Sequence, residues 1–417
     1  MKKNQSGSAI TILMMMFIVI SIISFTGYQL ITTAYKDVKY QQNWVLQAGN
    51  AARAGLVDAI SWFRRQPNQP VKSGIPPITY SWVDGAFDPH FSTDPVHSDT
   101  IDQSIGIVKE YQLSEDNLIW CRYEVKRQSD TAIFAYDPES VHDISGERLH
   151  TGDPEEGNGS GIVWYISSTG YIFRKRSALS PFDISPNEIV AKTRCSTEIR
   201  RIKLQPPGQC AYIVDNGGTS SNRKVRIYAN GRISGSGYVG CGRRSGSAPR
   251  IETGASVTGN PATITGLNSP TVEYVFGVTS EELKTLSDYA VDTTATLPLS
   301  LPDMSLIYVN GDAVFDSSKP LKASGILFVN GDLTISNGSN SYYSGLIYVT
   351  GKAYIYPPCL ISGCIIAFNG LTLSQTGATD IAEINYDVGI LNSVKQQICQ
   401  YRENKSLYRI YSGIPGM

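Results

Sequence analysis

A long run without charged residues, residues 8–35, lies close to the N-terminus and limits what this chain can fold into. Most of it is apolar, and a helix that crosses a bilayer needs about 20 such residues. Lys2 and Lys3 precede the run and the next charge is Lys36, so the positive-inside rule predicts a cytoplasmic N-terminus. A cleaved secretory signal is the alternative, but its apolar core is usually about 7–15 residues long. We therefore expect a single-pass anchor in the inner or cytoplasmic membrane, with the bulk of the chain extracytoplasmic.

Helical periodicity continues beyond the apolar run, on small residues. Ala48, Ala51, Ala52 and Gly55 recur at steps of three and four residues. Two prolines follow shortly afterwards, so we expect one helix over residues 8–65, about 87 Å long at 1.5 Å per residue. Small residues on one face let another helix approach closely, as in membrane proteins. These positions are therefore candidate assembly residues.

The N-terminal residues resemble those of type IV pilin-like proteins, particularly the minor pilins of the PilX type. The shared pattern is a short basic leader that ends in Gly7, an apolar stretch, and an Ala-rich segment at 47–56. The resemblance extends from the N-terminus to the end of the expected helix. It implies that a prepilin peptidase cleaves between Gly7 and Ser8. Residues 1–7 would then be the leader peptide, and the helix after it would assemble with other pilins or pseudopilins.

Two positions depart from the pattern of major pilins. Those proteins carry Glu at the fifth mature position, where it neutralises the N-terminal amine of a neighbouring subunit, whereas this chain has Ile12 there. The first mature residue is Ser8 rather than Phe. A buried unpaired amine is costly, so a subunit without the Glu is a poor repeating unit. The resemblance thus implies a non-enzymatic minor subunit at the tip or base of a filament, with a type II secretion pseudopilin as an alternative.

Residues 66–222 are predicted to form a β-rich head. Six prolines make the stretch up to residue 95 loop-like. Stretches of alternating, β-branched and aromatic residues follow, and we expect strands at 118–125, 161–166, 172–176 and 199–204. Pilin-like proteins pack an antiparallel sheet on the C-terminal half of their long helix, and the resemblance implies the same arrangement here.

A repeat in the C-terminal half predicts a right-handed parallel β-helix, a solenoid, over residues 223–417. Four apolar strands each end in an Asn-Gly or Thr-Gly turn, and the turn glycines recur with a nearly constant spacing, as they do in solenoids. Stacking at about 4.8 Å would place equivalent turn residues above one another, with positive φ at each Gly. The predicted turn residues are Asn310, Gly311, Asn330, Gly331, Thr350, Gly351, Asn369 and Gly370.

Other parts of this half are predicted from weaker signals. A leucine-rich repeat is the alternative architecture, but its Leu and Asn spacing is absent. Residues 227–233 and 255–266 are interpreted as degenerate coils, 280–288 as a helical insertion, and 391–398 as a capping helix. The repeat resembles the small β-helical modules of some pilus-assembly and polymer-forming bacterial surface proteins.

β-Helices also include polysaccharide lyases and hydrolases, so a secreted carbohydrate-active enzyme is an alternative. Asp312 and Asp332 would stack with Lys352 next in line, but Asp after Asn-Gly is ordinary turn chemistry. The region contains no His, and we therefore expect no enzymatic activity. The aromatic residues of the repeat are expected to form a core or surface ladder rather than a sugar platform: Tyr308, Phe328 and Tyr348. A cell-surface adhesin that binds a glycan is the second hypothesis.

Metal and nucleic-acid sites are also weighed. His90 and His97 lie among acidic residues, but their spacing matches no usual ligand set, so we expect a solvated loop and no metal or cofactor. Basic clusters at 174–176, 200–203 and 243–244 could contact phosphates. The net charge of −1 and the apolar residues between the cations indicate outward strand faces instead, so nucleic acid is not an expected partner.

Seven cysteines follow the apolar run, and none forms a C-x-x-C motif or a zinc-type pair of pairs. Export would permit disulfides, for which the nearest pairs are Cys195 with Cys210 and Cys359 with Cys364. Burial as unpaired thiols is the equally weighted alternative.

Overall fold

The structure, a computed structural model, describes residues 6–65, 71, 97–102, 106–114, 118–126, 139–148 and 161–413. A long N-terminal helix is followed by an antiparallel sheet and a parallel β-solenoid of about eight turns. The fold class predicted from the sequence, mainly β with one long helix, is therefore confirmed.

Helix α1 covers Ser6–Arg65, and the next six strands belong to an eight-stranded antiparallel sheet, here called the head sheet. The strand order is β1-β2-β3-β5-β6, with β4 beside β5. The short helix α2 (Ser145–Arg148) lies between β4 and β5. The strands are β1 (His97–Asp102), β2 (Gly106–Ser114), β3 (Ile119–Lys126), β4 (His142–Asp143), β5 (Val163–Arg174) and β6 (Glu188–Arg201).

The solenoid consists of parallel strands in two sheets, of eleven and six strands. Its first seven strands are β7 (Cys210–Asn216), β8 (Val225–Ile227), β9 (Gly231–Ser234), β10 (Val239–Ser245), β11 (Arg250–Ile251), β12 (Ser256–Thr258) and β13 (Thr263–Thr265). Two helices follow, α3 (Val272–Phe276) and α4 (Ser280–Leu286). Thr279 caps α4 in a capping box with Glu282, which is the helical insertion that the sequence predicts.

The repeats themselves form the second group of strands. These are β14 (Tyr289–Val291), β15 (Ser305–Val309), β16 (Ala313–Phe315), β17 (Lys322–Val329), β18 (Leu333–Ile335), β19 (Ser341–Val349), β20 (Ala353–Ile355), β21 (Cys359–Ala367), β22 (Leu371–Leu373) and β23 (Ala382–Asn385). Each long strand is paired in register with its equivalent one repeat later, and so is each short strand. The period of the sequence repeat therefore corresponds to one coil.

The coils do not stack in chain order. Strand β7 pairs with β21, β8 with β22 and β9 with β23, so the first coil of the solenoid lies on the last. After β13 the chain crosses to the far end and winds back from β14 through β15, β17 and β19 to β21. The predicted degenerate coils thus belong to the solenoid, but on the opposite side of the repeats from where chain order would place them.

The ends of the solenoid segment also differ from the predicted bounds. Its first strand is β7, upstream of residue 223, because β7 pairs with both β10 and β21. Helix α5 (Val388–Gln397) packs beside β19 and β21 rather than over an end. The last two strands, β24 (Tyr401–Glu403) and β25 (Arg409–Gly413), pair antiparallel with β6, so the chain returns to the head sheet.

Candidate functional site

The N-terminal part of α1 presents an apolar surface. Leu13–Thr33 has no buried residue and is long and apolar enough, by length and composition, to cross a membrane. Two of its threonine hydroxyls form hydrogen bonds within the helix, since Thr26 donates to the Ile22 carbonyl and Thr32 to the Tyr28 carbonyl. A continuous apolar surface is costly in water, at about 25 cal/mol per Å². This segment is therefore suited to lipid or to the apolar surface of another protein.

The C-terminal part of α1 packs on the head sheet through the small residues that the sequence singles out. Ala48, Ala51 and Ala52 are fully buried there. A Cβ on Gly170 of β5 would overlap the Ala48 carbonyl oxygen and lie 2.6 Å from the Ala52 nitrogen, so helix and strand touch backbone to backbone. The partner of these residues in this chain is its own sheet. Their packing against another subunit stays a prediction.

Gly55 lets the same helix approach β3 and β5, and we expect Gly55→Val to destabilise the head. A Cβ at this position would lie 2.8 Å from Cδ2 of Tyr123 and even closer to the Ser168 hydroxyl. Overpacking of this kind costs about 1–3 kcal/mol in the free energy of unfolding. Denaturant unfolding of the detergent-solubilised chain, followed by tryptophan fluorescence, measures the loss.

Gly27→Val in the same helix is the matched control for that variant. A Cβ on Gly27 has nothing within 4 Å, so this change should leave the unfolding midpoint of the head in place. Equal midpoints for the two variants would contradict the close contact between α1 and the head sheet.

The predicted processing residues lie at the beginning of α1. Gly7 and Ser8 are in its first turn, which begins at Ser6. Their side chains, that of Ile12 and the first five residues lie outside the described residues. Cleavage after Gly7 therefore stays a prediction.

The predicted turn residues of the repeats lie one above another. The Asn330 amide donates to the Asn310 side-chain oxygen at 3.2 Å, and the Thr350 hydroxyl donates to the Asn330 oxygen at 3.4 Å. The Asn369 amide continues the row with a 3.3 Å bond to the Thr350 carbonyl. These four residues, here called the turn ladder, hold successive coils in register.

The role of the turn glycines needs a correction. Gly311 and Gly370 do have positive φ, at 151° and 121°, but Gly331 and Gly351 do not. At those two positions a side chain is excluded by the coil before it. A Cβ on Gly331 would lie 2.6 Å from the Asp312 carboxylate, and one on Gly351 would overlap that of Asp332. The close approach of coils, rather than the backbone conformation, requires glycine there.

The acidic residues of the repeat have structural partners. Asp312 accepts the backbone N–H of Asp332 at 2.8 Å, and Asp332 accepts that of Lys352 at 2.7 Å. Each carboxylate therefore links its coil to the next. These bonds account for the stacked acids without an acid–base role.

The aromatic residues of the repeat form a buried stack. The rings of Tyr308 and Phe328 are 4.8 Å apart and nearly parallel, and those of Phe328 and Tyr348 are 5.1 Å apart. All three are buried, and Phe276 of α3 packs edge-on against two of them. The Tyr348 hydroxyl donates to the Pro270 carbonyl at 2.8 Å. The stack is thus part of the core, out of reach of a sugar.

Most of the predicted basic clusters are neutralised within the chain. Arg244 pairs with Asp215 through two bonds of 2.7 and 2.9 Å, and this holds the pKa of Asp215 below its usual range. The other acidic partners of these clusters are Glu188 for Arg174 and Arg176, Glu110 for Lys175, and Glu282 for Arg200. These pairs reduce the positive charge that the clusters can present to phosphates.

The metal candidates fall largely outside the described part of the chain. His90 lies outside it, and so does the side chain of His97 at the start of β1. Among the side chains that are described, no group of three or more His, Cys, Asp or Glu is placed to hold a metal ion.

All seven cysteines are buried and unpaired. Burial raises the pKa of Cys241 to about 12, with the nearby Cys210 adding to the shift. The thiol therefore stays protonated at neutral pH. The cysteines act as small apolar residues of the two cores.

Comparisons with known proteins add little to this geometry. No family model matches the chain, and no curated protein matches it. Among solved structures, the competence-associated pilin ComZ from Thermus thermophilus aligns with 89% of this chain and 98% of that chain, at 10% sequence identity and a TM-score of 0.20. A likeness at this level assigns neither fold nor function, so the function has to be argued from the residues.

Proposed function

We propose that this chain is a non-enzymatic minor pilin or pilus-assembly subunit. It would be anchored in the membrane before it enters the tip or base of a type IV pilus-like filament. The observation that carries the proposal is helix α1, which is continuous from Ser6 to Arg65. Its early turns are exposed and apolar, and its later turns hold a folded sheet. One helix thus joins a membrane-compatible segment directly to an extracytoplasmic head.

The C-terminal part of α1 also has a face that does not contact the head sheet. Leu46 and Val57 are 68% and 61% exposed, although both are apolar. Their separation in the sequence is close to three helical turns, which places them on one side of the helix. This outer stripe is our candidate surface for the helices of other pilins or pseudopilins, in place of the small residues that the head sheet covers.

The partners follow from that arrangement. The prepilin peptidase would cut between Gly7 and Ser8 while the N-terminus is cytoplasmic, as Lys2 and Lys3 predict. Lipid would surround Leu13–Thr33 until other helices replace it. A pseudopilin of a type II secretion system would use the same parts of the chain. The apparatus that co-purifies with the protein would distinguish the two.

N-terminal mass spectrometry of the protein, expressed with and without a prepilin peptidase, tests the proposal. We expect a mature chain that begins at Ser8 only when the peptidase is present. Gly7→Leu should abolish that product, because a bulky residue would not fit where the leader Gly is bound. An intact Met1 in both conditions, or cleavage after the apolar run, would overturn the proposal.

The outer stripe gives a separate prediction for assembly. Val57→Asp should leave the head folded, since Val57 is exposed, but should prevent incorporation into a filament, because an unpaired carboxylate would be buried between helices. We expect at least a tenfold loss of the protein from sheared filaments at unchanged membrane levels.

Asp58→Asn, at the next position, is no suitable control because Asp58 pairs with Lys109 at 2.9 Å. Val57→Leu, which keeps an apolar side chain at the same exposed position, serves instead. Equal incorporation of both variants would show that the stripe is not an assembly surface.

A further inference from the structure

One outer face of the solenoid carries a regular row of side chains. The middle residues of the short strands point outward, each between two buried neighbours, in β16, β18, β20, β22 and β8. They are paired in register across neighbouring strands, about 4.8 Å apart. The row is Val314, Thr334, Tyr354, Thr372 and Arg226, and Arg250 of β11 continues it.

Cations converge on one half of this row. The Lys352 ammonium lies 4.6 Å from the centre of the Tyr354 ring, on the outward side of β20. Lys224 lies immediately before β8, and Gly370 holds the equivalent position before β22 in the adjacent coil. A Cβ on Gly370 would lie 2.9 Å from the Lys224 Cβ. Because the residue between them in the stack is glycine, no side chain separates Lys352 from Lys224. We call the surface formed by Lys224, Arg226, Lys352, Tyr354 and Thr372 the basic face.

The positive charge of the basic face is only partly offset by the described residues around it, through Asp215 near Lys224 and Asp332 near Lys352. No carboxylate among them lies within ion-pair distance of Lys224, Arg226 or Lys352. Arg226 is directly opposite Arg250, which pairs with Glu252 at 2.6 Å. Burial, and the charge of Arg226, lower the pKa of Lys352, although Asp332 opposes this. Like charges opposite each other on paired strands destabilise a sheet, and an anion on the face would remove that cost.

The remaining groups indicate what kind of anion fits. Tyr354 and the hydroxyls of Thr334 and Thr372 offer an aromatic surface and hydrogen-bonding groups between the cations, which suits sugar rings with hydroxyls. Asp332 and Asp312 stand in the row of Lys352, one and two coils away. A nucleic acid is charged at every nucleotide, so its phosphates would be repelled by these two carboxylates. A glycan in which acidic and neutral sugars alternate carries fewer charges along the same length and is therefore repelled less.

We propose that the basic face binds an acidic, linear polysaccharide that has charges on alternate sugars. Lys224, Arg226 and Lys352 would contact its carboxylates, and Tyr354 and Thr372 its rings and hydroxyls. The proposal does not depend on filament assembly, because it uses only residues of the solenoid.

The full-length protein in detergent micelles, tested on immobilised hyaluronate by biolayer interferometry, provides the measurement. Hyaluronate is used as the probe because it has one carboxylate in every second sugar. We expect binding that weakens as salt is raised, and no binding to neutral dextran. The double variant Arg226→Gln/Lys352→Gln should bind at least tenfold more weakly, since it removes two charge-assisted hydrogen bonds. The double variant Arg226→Lys/Lys352→Arg, which keeps both charges, should retain most of the affinity.

Arg232→Gln is the matched control. Arg232 lies in the same coil as Arg226, but on β9 in the other sheet, and is opposite Glu383. The Arg232→Gln variant should bind hyaluronate with the same affinity as the unaltered protein. Three outcomes would overturn the proposal: no binding of hyaluronate, equal affinity of Arg232→Gln and Arg226→Gln/Lys352→Gln, or tighter binding of single-stranded DNA of equal charge, which would assign the face to nucleic acid.

Discussion

Replacing Gly345 with alanine is expected to unfold the solenoid, with a loss of more than about 3 kcal/mol in the free energy of unfolding. Gly325, Gly345 and Gly363 are paired in register on β17, β19 and β21, with φ of 117°, 144° and 134°. A Cβ on Gly345 would overlap the carbonyl oxygen of Gly325 and lie 3.0 Å from its nitrogen. Because these are backbone atoms of the adjacent coil, no change of rotamer relieves the clash, and the φ itself is unfavourable for alanine.

Gly338→Ala separates the two causes. Gly338 has a φ of 75°, but a Cβ there has nothing within 4 Å, so only the backbone term applies, about 1–2 kcal/mol. Hydrogen exchange of the β19 amides in the full-length protein reports the stability of the solenoid alone. Similar protection in the two variants would show that the coils can move apart to admit a side chain, against the close packing described here.

This glycine row could have been found in the sequence, since Ser-Gly recurs at 324–325, 344–345 and 362–363 with nearly the spacing of the turns. The Asn-Gly dipeptides predict turns directly, because that dipeptide is a familiar turn signal, whereas Ser-Gly within a strand is not. The physical requirement differs between the two rows, however. In the Ser-Gly row, glycine satisfies a positive φ at three successive coils, whereas in the turn row it does so only at Gly311 and Gly370. Only coordinates distinguish these cases.

Other features could not have been predicted from one sequence. A period identifies which residues stack within the repeat, but not which side the earlier coils join, and the pairing of β7 with β21 brings Tyr212 opposite the distant Ile365. Likewise, a small-residue face suits a neighbouring helix and a sheet equally well. The sequence predicts that Ala52 faces another helix, and within this chain Gly170 of β5 lies against it instead. The local spacing of small residues therefore predicts that a neighbouring element packs closely, while the long-range topology decides which element that is.

The second large effect is expected at the joint between the head sheet and the solenoid. Arg200 of β6 is only 5% exposed. Its guanidinium lies 2.7 Å from the Glu282 carboxylate of α4 and donates to the Gly277 carbonyl at 2.8 Å. Glu282→Ala should cost about 3 kcal/mol in the free energy of unfolding, because it leaves the buried Arg200 cation without its carboxylate, which is itself 30% exposed. The capping box with Thr279 is lost as well.

Glu281→Ala, at the neighbouring and exposed position, controls for the loss of one negative charge at the start of α4. The double variant Arg200→Leu/Glu282→Ala should recover much of the stability, because neither charge then remains buried. A double-mutant cycle on the free energy of unfolding measures the coupling. Additive single effects, or equal losses for the two Glu variants, would mean that this pair does not join the two parts. A strong coupling would mean that this ion pair helps to fix the solenoid to the sheet that α1 supports, together with the Arg402–Asp288 pair and the chain that continues from β6 into β7.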